Sequence, residues 1–445
     1  MIHRDVIAAI STAPGRGGIG VVRVSGSGLE TFAKGLTPRP LEARRAILTP
    51  FLSASGQVLD EGLVLFFAAP NSYTGEDVLE LHGHGGPVVM RLLLQRCQEL
   101  GARLARPGEF TERAYLNGRM DLTQAEGVAD LIDASTALAA RAALSSLQGQ
   151  FSALIQQLTD KVMKLRVLLE ATLDFPEEEV TFLTAARAGE QLAAIRAQLD
   201  ATLAATRQGS MLRDGIQVVL VGAPNVGKSS LLNALAGEDI AIVTDIPGTT
   251  RDAIREQIDL DGIPVHIIDT AGLRESIDTV ERIGISRTWA MIERADLALL
   301  ISDGATAPDE VQTIVDRLPR GLARIHVINK IDLSAHEGAR ATRGAEETVW
   351  VSAKTGEGLP LLKQAIWDRA GWHPSGEGLF SARARHIEAL QRAQNHLATA
   401  AGLTDRLELY AEELRLAHDA LGSITGACTP DELLGEIFSK FCIGK

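Results

Sequence analysis

The stretch that decides the fold of the central part of the chain is Gly222-Ala223-Pro224-Asn225-Val226-Gly227-Lys228-Ser229. It fits the pattern G-x-x-x-x-G-K-[ST], follows the apolar run 216–221 and opens a segment of helical spacing. Glycines in this pattern let backbone N–H groups surround phosphate oxygens at a helix N-terminus. We therefore predict a phosphate-binding loop in which Lys228 reaches the β- and γ-phosphates and Ser229 ligates Mg²⁺.

Three further segments follow in the order that a guanine-nucleotide site requires. Asp269-Thr270-Ala271-Gly272 ends one predicted strand, where the aspartate can hold the metal through water and the glycine amide can meet the γ-phosphate. Asn329-Lys330-Ile331-Asp332 ends another, and Ser352-Ala353-Lys354 follows the next strand and supports the base. The Asp332 carboxylate accepts hydrogen bonds from the N1–H and N2–H₂ groups of guanine, which adenine does not offer. The sequence therefore predicts GTP rather than ATP.

The segment after Gly248 is the expected switch, in which Thr250 reaches Mg²⁺ in the GTP state. Ras-like proteins place a water-orienting glutamine where this chain has Leu273. Because leucine cannot orient water, another group must do so. Arg251 is either an internal arginine finger or a solvated switch residue.

Periodicity around these motifs predicts the fold class. Within 216–370, short buried-type strands alternate with helix-like segments, and Asp261-Gly262 is a hairpin turn signal, so a mostly parallel sheet with both faces covered is expected. Residues 1–118 mix short apolar runs with glycine clusters, which indicates an α+β domain. Its run from Pro87 to Gly101 has helical spacing that places Val88, Leu92, Leu93 and Leu100 on one side.

Amphipathic helical spacing dominates residues 119–213 and returns over 371–445, interrupted by proline at Asp174-Phe175-Pro176. We therefore predict an α/β GTPase domain at 214–370, inserted into an all-α helical domain formed by the two flanking segments. The α+β domain at 1–118 precedes both.

Composition limits the class of protein. With 445 residues, 45% hydrophobic and 23% charged, the chain has the composition of a globular protein, and its net charge of −13 argues against a simple polycation coating nucleic acid. Three cysteines are too few for a disulfide framework. The first residues meet charge at once, unlike a signal peptide, and no window approaches 18 apolar residues. A cytoplasmic protein without a membrane span is expected.

Five segments carry a resemblance to a known family: 15–20, 71–77, 244–252, 269–275 and the ending Phe441-Cys442-Ile443-Gly444-Lys445. Together they resemble the tRNA-uridine modification GTPases, the MnmE or TrmE family. The resemblance covers the whole chain and implies a folate-binding N-terminal domain, a helical domain and an inserted GTPase domain. This agrees with the architecture predicted from periodicity.

The resemblance also implies a potassium-dependent GTPase that dimerises through its nucleotide faces. By matching position, Asn225, Thr244, Ile246 and Thr249 would surround K⁺, which could supply the charge of an arginine finger. Glu281 matches the glutamate that orients water through a second water, although by itself it reads as a surface helix carboxylate. The remaining residues expected to line the nucleotide and its cations are Val226, Gly227, Ser230, Asp245, Pro247 and Gly248, beside the motif residues Ser229, Thr250, Asp269, Thr270, Ala271, Gly272, Ser352, Ala353 and Lys354.

The family implied by the resemblance works as a homodimer with a flavoprotein partner (MnmG or GidA), which carries FAD, in a heterotetramer or larger complex. Together they add a carboxymethylaminomethyl or aminomethyl group to C5 of the tRNA wobble uridine. A 5,10-methylenetetrahydrofolate or a 5-formyl relative is the implied one-carbon source. Arg23, Glu80, Arg119 and Lys445 match folate-associated positions, although each alone is an ordinary surface charge. The family often has lysine at 119, and arginine keeps the charge but not the geometry.

Cys442 allows two interpretations. A lone cysteine is usually a small buried hydrophobe, but in this ending it could be a nucleophile toward uracil C6 or the one-carbon unit. His82 and His84 lack further clustered ligands and are a weak metal signal.

A ribosome-assembly GTPase, a switch without RNA modification chemistry, remains the alternative function. It would share Pro224-Asn225-Val226-Gly227-Lys228-Ser229-Ser230. Such proteins usually carry a KH-type module, whereas no convincing G-x-x-G loop follows in a matching C-terminal context.

Overall fold

The structure, a computed structural model, describes residues 5–174, 187–237, 255–269, 289–303, 312, 315–316, 318–334, 336–344, 346–373, 379–427 and 431–444. Several residues singled out from the sequence lie outside these ranges: Thr244, Asp245, Ile246, Pro247, Gly248, Thr249, Thr250, Arg251, Thr270, Ala271, Gly272, Leu273, Glu281 and Lys445. The roles given to them remain predictions.

The chain divides into two compact units. The first comprises Met1–Ala129, Leu147–Leu192 and Asn395–Lys445, and the second comprises Asp130–Ser146 and Ala193–Gln394. The predicted domain bounds stay a prediction, because the boundaries between these units fall inside helices.

A six-stranded sheet forms the N-terminal part of the first unit within the described residues, in the order β3-β4-β5-β2-β1-β6. Its strands and the helices around it are β1 Ile7–Ile10, β2 Gly20–Gly26, α1 Leu29–Ala33, β3 Ile47–Leu52, β4 Val58–Phe67, β5 Asp77–Gly83, α2 Pro87–Glu99, β6 Arg103–Leu104 and α3 Glu109–Leu116. Neighbouring strands pair antiparallel except β1 and β6, which are parallel. The predicted α+β character of this region is confirmed.

Helix α2 begins where it is expected, at Pro87, but only part of the predicted apolar side is buried, because Leu93 is buried while Val88 and Leu92 are not. Met90, Leu93 and Cys97 are buried against the sheet, whereas Val88 is 65% exposed and Leu92 is 40% exposed. The spacing 90, 93, 97 is itself a helical stripe, so period alone could not choose between the two faces. Contact with Val22, Leu79 and Leu81 of the sheet selects the stripe that is buried.

The helices that follow are amphipathic, as predicted. Their bounds are α4 Leu122–Asp133, α5 Ala137–Leu147, α6 Gln150–Asp174, α7 Ala188–Asp214, α10 Ala384–Ala401, α11 Leu407–Thr425 and α12 Asp431–Ser439. In the first unit, α11 packs along α6 and α12 packs on α3. Residues before and after the GTPase segment therefore pack together, which confirms the inserted arrangement. Among the helices of the described ranges, none is long and apolar enough to span a membrane.

The second unit contains the α/β core. Its described strands form a seven-stranded sheet in the order β12-β13-β11-β10-β7-β9-β8. The elements are β7 Ile216–Gly222, α8 Lys228–Ala236, β8 Arg255–Leu260, β9 Ile263–Asp269, β10 Leu297–Ser302, β11 Ala323–Ile328, the 3₁₀ turn Ile331–Leu333, β12 Ala339–Arg343, β13 Glu346–Trp350 and α9 Leu359–Ala370. Five neighbouring strands are parallel, and β8 and β12 run antiparallel at the two edges.

Both faces of this sheet carry apolar cores. One contains Val218, Leu220 and Leu231, and the other contains Val219, Val221 and Ile292. The residues from Val218 to Val221 of β7 alternate between the two cores, which explains this apolar run and confirms the predicted sheet class.

Candidate nucleotide-binding site

Where the structure describes them, the segments predicted to hold the nucleotide meet at one edge of the seven-stranded sheet. Strands β9, β7, β10, β11 and β13 are parallel neighbours, so their carboxyl ends lie at the same edge. The phosphate loop follows β7, Asn329-Lys330 follows β11 and Ser352-Ala353-Lys354 follows β13. Asp269 ends β9 at this edge, where only its backbone is described.

The phosphate loop has the backbone that its glycines suggest. Gly227 caps α8 in the left-handed region, at φ 94°, and Asn225 also lies there, at φ 64°. Ser229 and Ser230 occupy the first turn of α8, where unpaired N–H groups and the helix dipole favour an anion. The Lys228 ammonium donates to the carbonyls of Gly222 at 2.9 Å and Ala223 at 3.1 Å. A lysine and helix amides that can bind phosphate oxygens, with a serine hydroxyl that can ligate Mg²⁺, are the groups that a Mg²⁺-bound triphosphate requires.

Asn329 connects the phosphate loop to the base-binding loop. Its Nδ2 donates to the Val226 carbonyl at 2.9 Å, and its Oδ1 accepts from the Ala353 amide at 3.0 Å. The residue is 2% exposed. A Cβ at Gly227 would lie 2.4 Å from Asn329 Nδ2, so the close approach of the two loops requires glycine there.

Lys330 reaches the phosphate loop from the same strand end. Its Nζ donates to the Asn225 carbonyl at 2.7 Å and forms an ion pair with Asp303 Oδ2 at 3.2 Å. Asp303 directly follows β10 and was not among the site residues predicted from the sequence. Its position after a buried parallel strand is the signal that could have identified it.

Asp332 is oriented by its neighbour across the edge. Ser352 Oγ donates to Asp332 Oδ1 at 2.7 Å and accepts from the Thr355 amide at 3.2 Å. Ser352 is fully buried, whereas Asp332 is exposed. One carboxylate oxygen is therefore fixed from inside the protein while the exposed group remains able to receive the guanine edge.

In the first unit, two of the predicted folate-binding residues, Arg23 and Glu80, form an ion pair with each other. Arg23 Nε and Nη2 approach Glu80 Oε1 at 3.0 and 2.9 Å, and Glu80 Oε2 lies 3.2 Å from His82 Nε2. The Arg23 guanidinium lies 5.5 Å from the centroid of the Tyr73 ring. The side chain of Arg119 lies close to Gly75. Tyr73 belongs to segment 71–77 but was not among the site residues predicted from the sequence.

The chain's last described residues lie against the N-terminal sheet. A Cβ at Gly444 would lie 2.5 Å from the Ile10 carbonyl, and the Gly108 amide approaches the Cys442 carbonyl at 3.4 Å. Cys442 is exposed, whereas Cys97 is buried and burial raises the pKa of its thiol to about 12. Of these two thiols, Cys442 is therefore the one that a substrate can reach.

His82 and His84 each pair with a carboxylate. His84 Nδ1 lies 2.7 Å from Asp60 Oδ1, and the pairing of His82 with Glu80 is given above. Within the described residues, no cluster of three potential metal ligands is present.

Comparison with known proteins decides the family. A model described as "GTP-binding protein TrmE N-terminus" matches residues 6–119, and one described as "MnmE helical domain" matches residues 122–442. The "tRNA modification GTPase MnmE" of Azoarcus sp. (strain BH72) is 58% identical over 443 residues, which cover 99% of this chain and 98% of that protein. The chain belongs to the MnmE family.

Other MnmE proteins match at similar levels. That of Nitrosomonas europaea is 57% identical over 453 residues, covering 100% of both chains, and that of Neisseria meningitidis serogroup B is 57% identical over 441 residues, covering 99% of this chain and 98% of its own. The MnmE assignment therefore extends over the whole chain, and the resemblance stated from its motifs is confirmed. The enzyme is a GTPase and binds GTP.

Among solved structures, the G domain of the T. maritima FeoB iron transporter is 27% identical over 35% of this chain and 98% of its own. Its TM-score of 0.27 is too low to support a statement about the fold.

Proposed function

We propose that this protein is a potassium-activated GTPase that modifies C5 of the wobble uridine of tRNA together with a flavoprotein partner. The added group is carboxymethylaminomethyl or aminomethyl, and its one-carbon unit comes from a tetrahydrofolate. The observation that carries the proposal is the near-complete coverage of the chain by MnmE relatives named as tRNA modification GTPases, at 58% identity for the Azoarcus protein. The proposed setting is the cytoplasm.

The potassium requirement is supported by the position of Asn225. This residue lies in the left-handed region at the entrance of the phosphate loop, and its carbonyl is held by Lys330 at 2.7 Å. An asparagine amide oxygen is a hard ligand of the kind that alkali and alkaline-earth cations accept. A cation here would offset charge that develops on the β- and γ-phosphates during hydrolysis. Thr244, Ile246 and Thr249 are the other residues proposed to bind this cation with Asn225.

Folate binding is supported by the Arg23–Glu80 pair. Both side chains are half-buried, and Arg23 lies over the rings of Tyr73 and Phe110. A carboxylate can receive the amine and amide edge of a pterin, and a guanidinium can bind the carboxylated tail. We include Arg119 and Lys445 in this proposed site because they match the family positions.

Catalysis of uridine modification is assigned to the complex. The proposed homodimer presents two nucleotide faces to each other, and the flavoprotein partner carries FAD. GTP hydrolysis, with Glu281 orienting water and Thr250 on Mg²⁺, would open and close the inserted domains. The exposed thiol of Cys442 is the proposed nucleophile toward uracil C6 or the one-carbon unit.

A nucleoside profile tests the function directly. In a strain without this gene, mass spectrometry of total tRNA should show loss of the modified wobble uridine, and the wild-type gene should restore it. A strain whose nucleosides remain normal would refute the proposal. Complementation with Cys442→Ser tests the thiol, with Cys97→Ser as the matched control because that thiol is buried and weakly acidic.

Two binding measurements separate this proposal from a ribosome-assembly switch. Calorimetry should detect tetrahydrofolate binding to the full chain and weaker binding to the Glu80→Gln variant. Co-sedimentation with ribosomal subunits in the absence of folate binding would favour the assembly function instead. Equal GTPase rates in K⁺ and Na⁺ would remove the potassium requirement alone.

A further inference from the structure

Asp303 lies at the centre of the nucleotide edge but belongs to none of the segments that define it. Strand β10 pairs with β7 on one side and β11 on the other, so the first residue beyond β10 lies between the phosphate loop and Lys330. Asp303 is that residue. Its carboxylate is 20% exposed, so it is largely shielded from water.

The carboxylate of Asp303 makes a specific contact. Asp303 Oδ2 accepts from Lys330 Nζ at 3.2 Å, and the same ammonium donates to the Asn225 carbonyl at 2.7 Å. Lys330 therefore joins two strand ends, and Asp303 supplies the negative charge that fixes its head group. An ammonium held by a carboxylate and a carbonyl loses the freedom that an unpaired lysine would have.

The residue at the end of this chain of contacts is strained. Asn225 has φ 64°, a left-handed conformation that residues with a side chain rarely adopt, although asparagine tolerates it better than most. Such conformations persist where surrounding contacts hold them. The hydrogen bond from Lys330 to the Asn225 carbonyl is a contact of that kind, and the side chain of Asn225 is the proposed potassium ligand.

We propose that Asp303 is a positioning residue of the nucleotide site, which acts through Lys330 to hold Asn225 in the conformation that binds guanine nucleotide and the monovalent cation. The nucleotide part of this inference rests on the family's GTPase activity, and the cation part rests on the proposed function. Asp303 itself touches neither ligand in this scheme. It determines how often the phosphate loop is found in its binding conformation.

Asp303→Asn keeps the shape and an acceptor oxygen but removes the charge, and Asp303→Ala removes both. Release of a fluorescent GDP analogue should become about fivefold faster in Asp303→Asn and faster still in Asp303→Ala, as expected for a partly exposed charge-assisted contact. The K⁺ concentration for half-maximal GTP hydrolysis should rise by a similar factor, while kcat at saturating K⁺ stays within about twofold of wild type. Asp316→Asn is the matched control, because Asp316 is exposed. Among the contacts described, its carboxylate accepts only a hydrogen bond from the side chain of Gln312, four residues earlier.

A double-mutant cycle with Lys330→Met decides whether Asp303 acts through Lys330. Asp303→Asn should have little further effect on GDP release in the Lys330→Met background. The inference is overturned if Asp303→Asn releases GDP like wild type, or if its effect is equally large without Lys330. If wild type itself does not respond to K⁺, the potassium part of the proposed function fails, and the GDP-release cycle still decides the role of Asp303. Circular dichroism of each variant confirms that it has folded.

Discussion

The side-chain amide of Asn329 donates to the backbone carbonyl of Val226 across 2.9 Å, and this contact ties the base-binding loop to the phosphate loop. The other end of the same amide accepts from Ala353. Two loops from different strand ends are thus held by one buried side chain, so the loops predicted to bind the base and the phosphates share a structural element.

The first prediction concerns this contact. Asn329→Ala should lower the free energy of unfolding of the nucleotide-free protein by about 2–3 kcal/mol, because it leaves a buried carbonyl and a half-buried amide without their partner. Thermal unfolding measures the change. Asn233→Ala, at an exposed position of α8, is the control and should change stability by less than about 0.5 kcal/mol. An Asn329→Ala protein as stable as wild type would contradict the structural role of the amide.

The second prediction concerns base selection by Asp332. Asp332→Asn should weaken GDP binding about 100-fold or more. The NH₂ group of the asparagine would replace one acceptor oxygen and would face a hydrogen-bond donor of guanine. Xanthine carries a carbonyl at C2, so xanthosine diphosphate should bind the variant better than GDP. Calorimetry with both nucleotides tests this, and unchanged preference for GDP would show that Asp332 does not read the base.

The third prediction concerns acid stability of the N-terminal domain. Glu109 is 1% exposed, and burial by itself would raise the pKa of its carboxyl. Hydrogen bonds from Arg103 and from the Arg106 amide, together with the nearby positive charges, outweigh this effect and lower the pKa from 4.5 to about 2. A folded pKa below the unfolded one contributes stability that is present above about 4.5 and is lost as pH falls toward 2.

Glu109→Gln should therefore destabilise the protein near pH 7 and flatten the loss of stability below pH 4.5. Urea unfolding at a series of pH values measures both effects. Glu112→Gln serves as the control, since that side chain is 20% exposed and pairs with Arg106 alone among the described ion pairs. Parallel pH profiles for wild type and Glu109→Gln would contradict the prediction.

The fourth prediction concerns the β8–β9 turn. Gly262 has φ 93°, and a Cβ there would lie 3.0 Å from Leu138 Cβ; the Gly262 carbonyl accepts from Thr136 Oγ1 at 2.6 Å. Gly262→Ala should cost about 1–3 kcal/mol of unfolding free energy through backbone strain and crowding.

Gly344→Ala is the matched control for this variant. Gly344 has φ 61°, and nothing lies within 4 Å of a Cβ placed there, so it reports the strain alone. Equal losses for the two variants in thermal unfolding would show that the contact with Leu138 is unimportant.

Sequence alone predicted the parts of the molecule that local chemistry determines. The Asp261-Gly262 turn, with φ 53° and 93°, and the phosphate loop after β7 are set by residues adjacent in the chain. The apolar side predicted for α2 matches the buried face only in part, because the stripe through Met90, Leu93 and Cys97 is equally regular and only the sheet decides between the two.

Other features depend on contacts between residues far apart in sequence. Strand β12 has mostly exposed side chains and no large apolar residue, so its pattern gave no strand signal. It forms by pairing with β13. The role of Asp303 becomes visible only when β10 is placed between β7 and β11. Pairing of Arg23 with Glu80 likewise follows from their register across β2 and β5.

The β12 strand has a practical consequence for anyone trimming this protein to a minimal GTPase fragment. Strand β12 pairs with the backbone of β13 and so covers it. As the edge strand, β12 carries exposed side chains, including that of Arg343, which discourage another strand from pairing with it. Deleting residues 339–343 as a dispensable polar strand would make β13 the edge strand of the sheet. Its backbone would then be unpaired on one side, next to the buried Val349. Such a fragment should precipitate or self-associate, even though every nucleotide motif is intact.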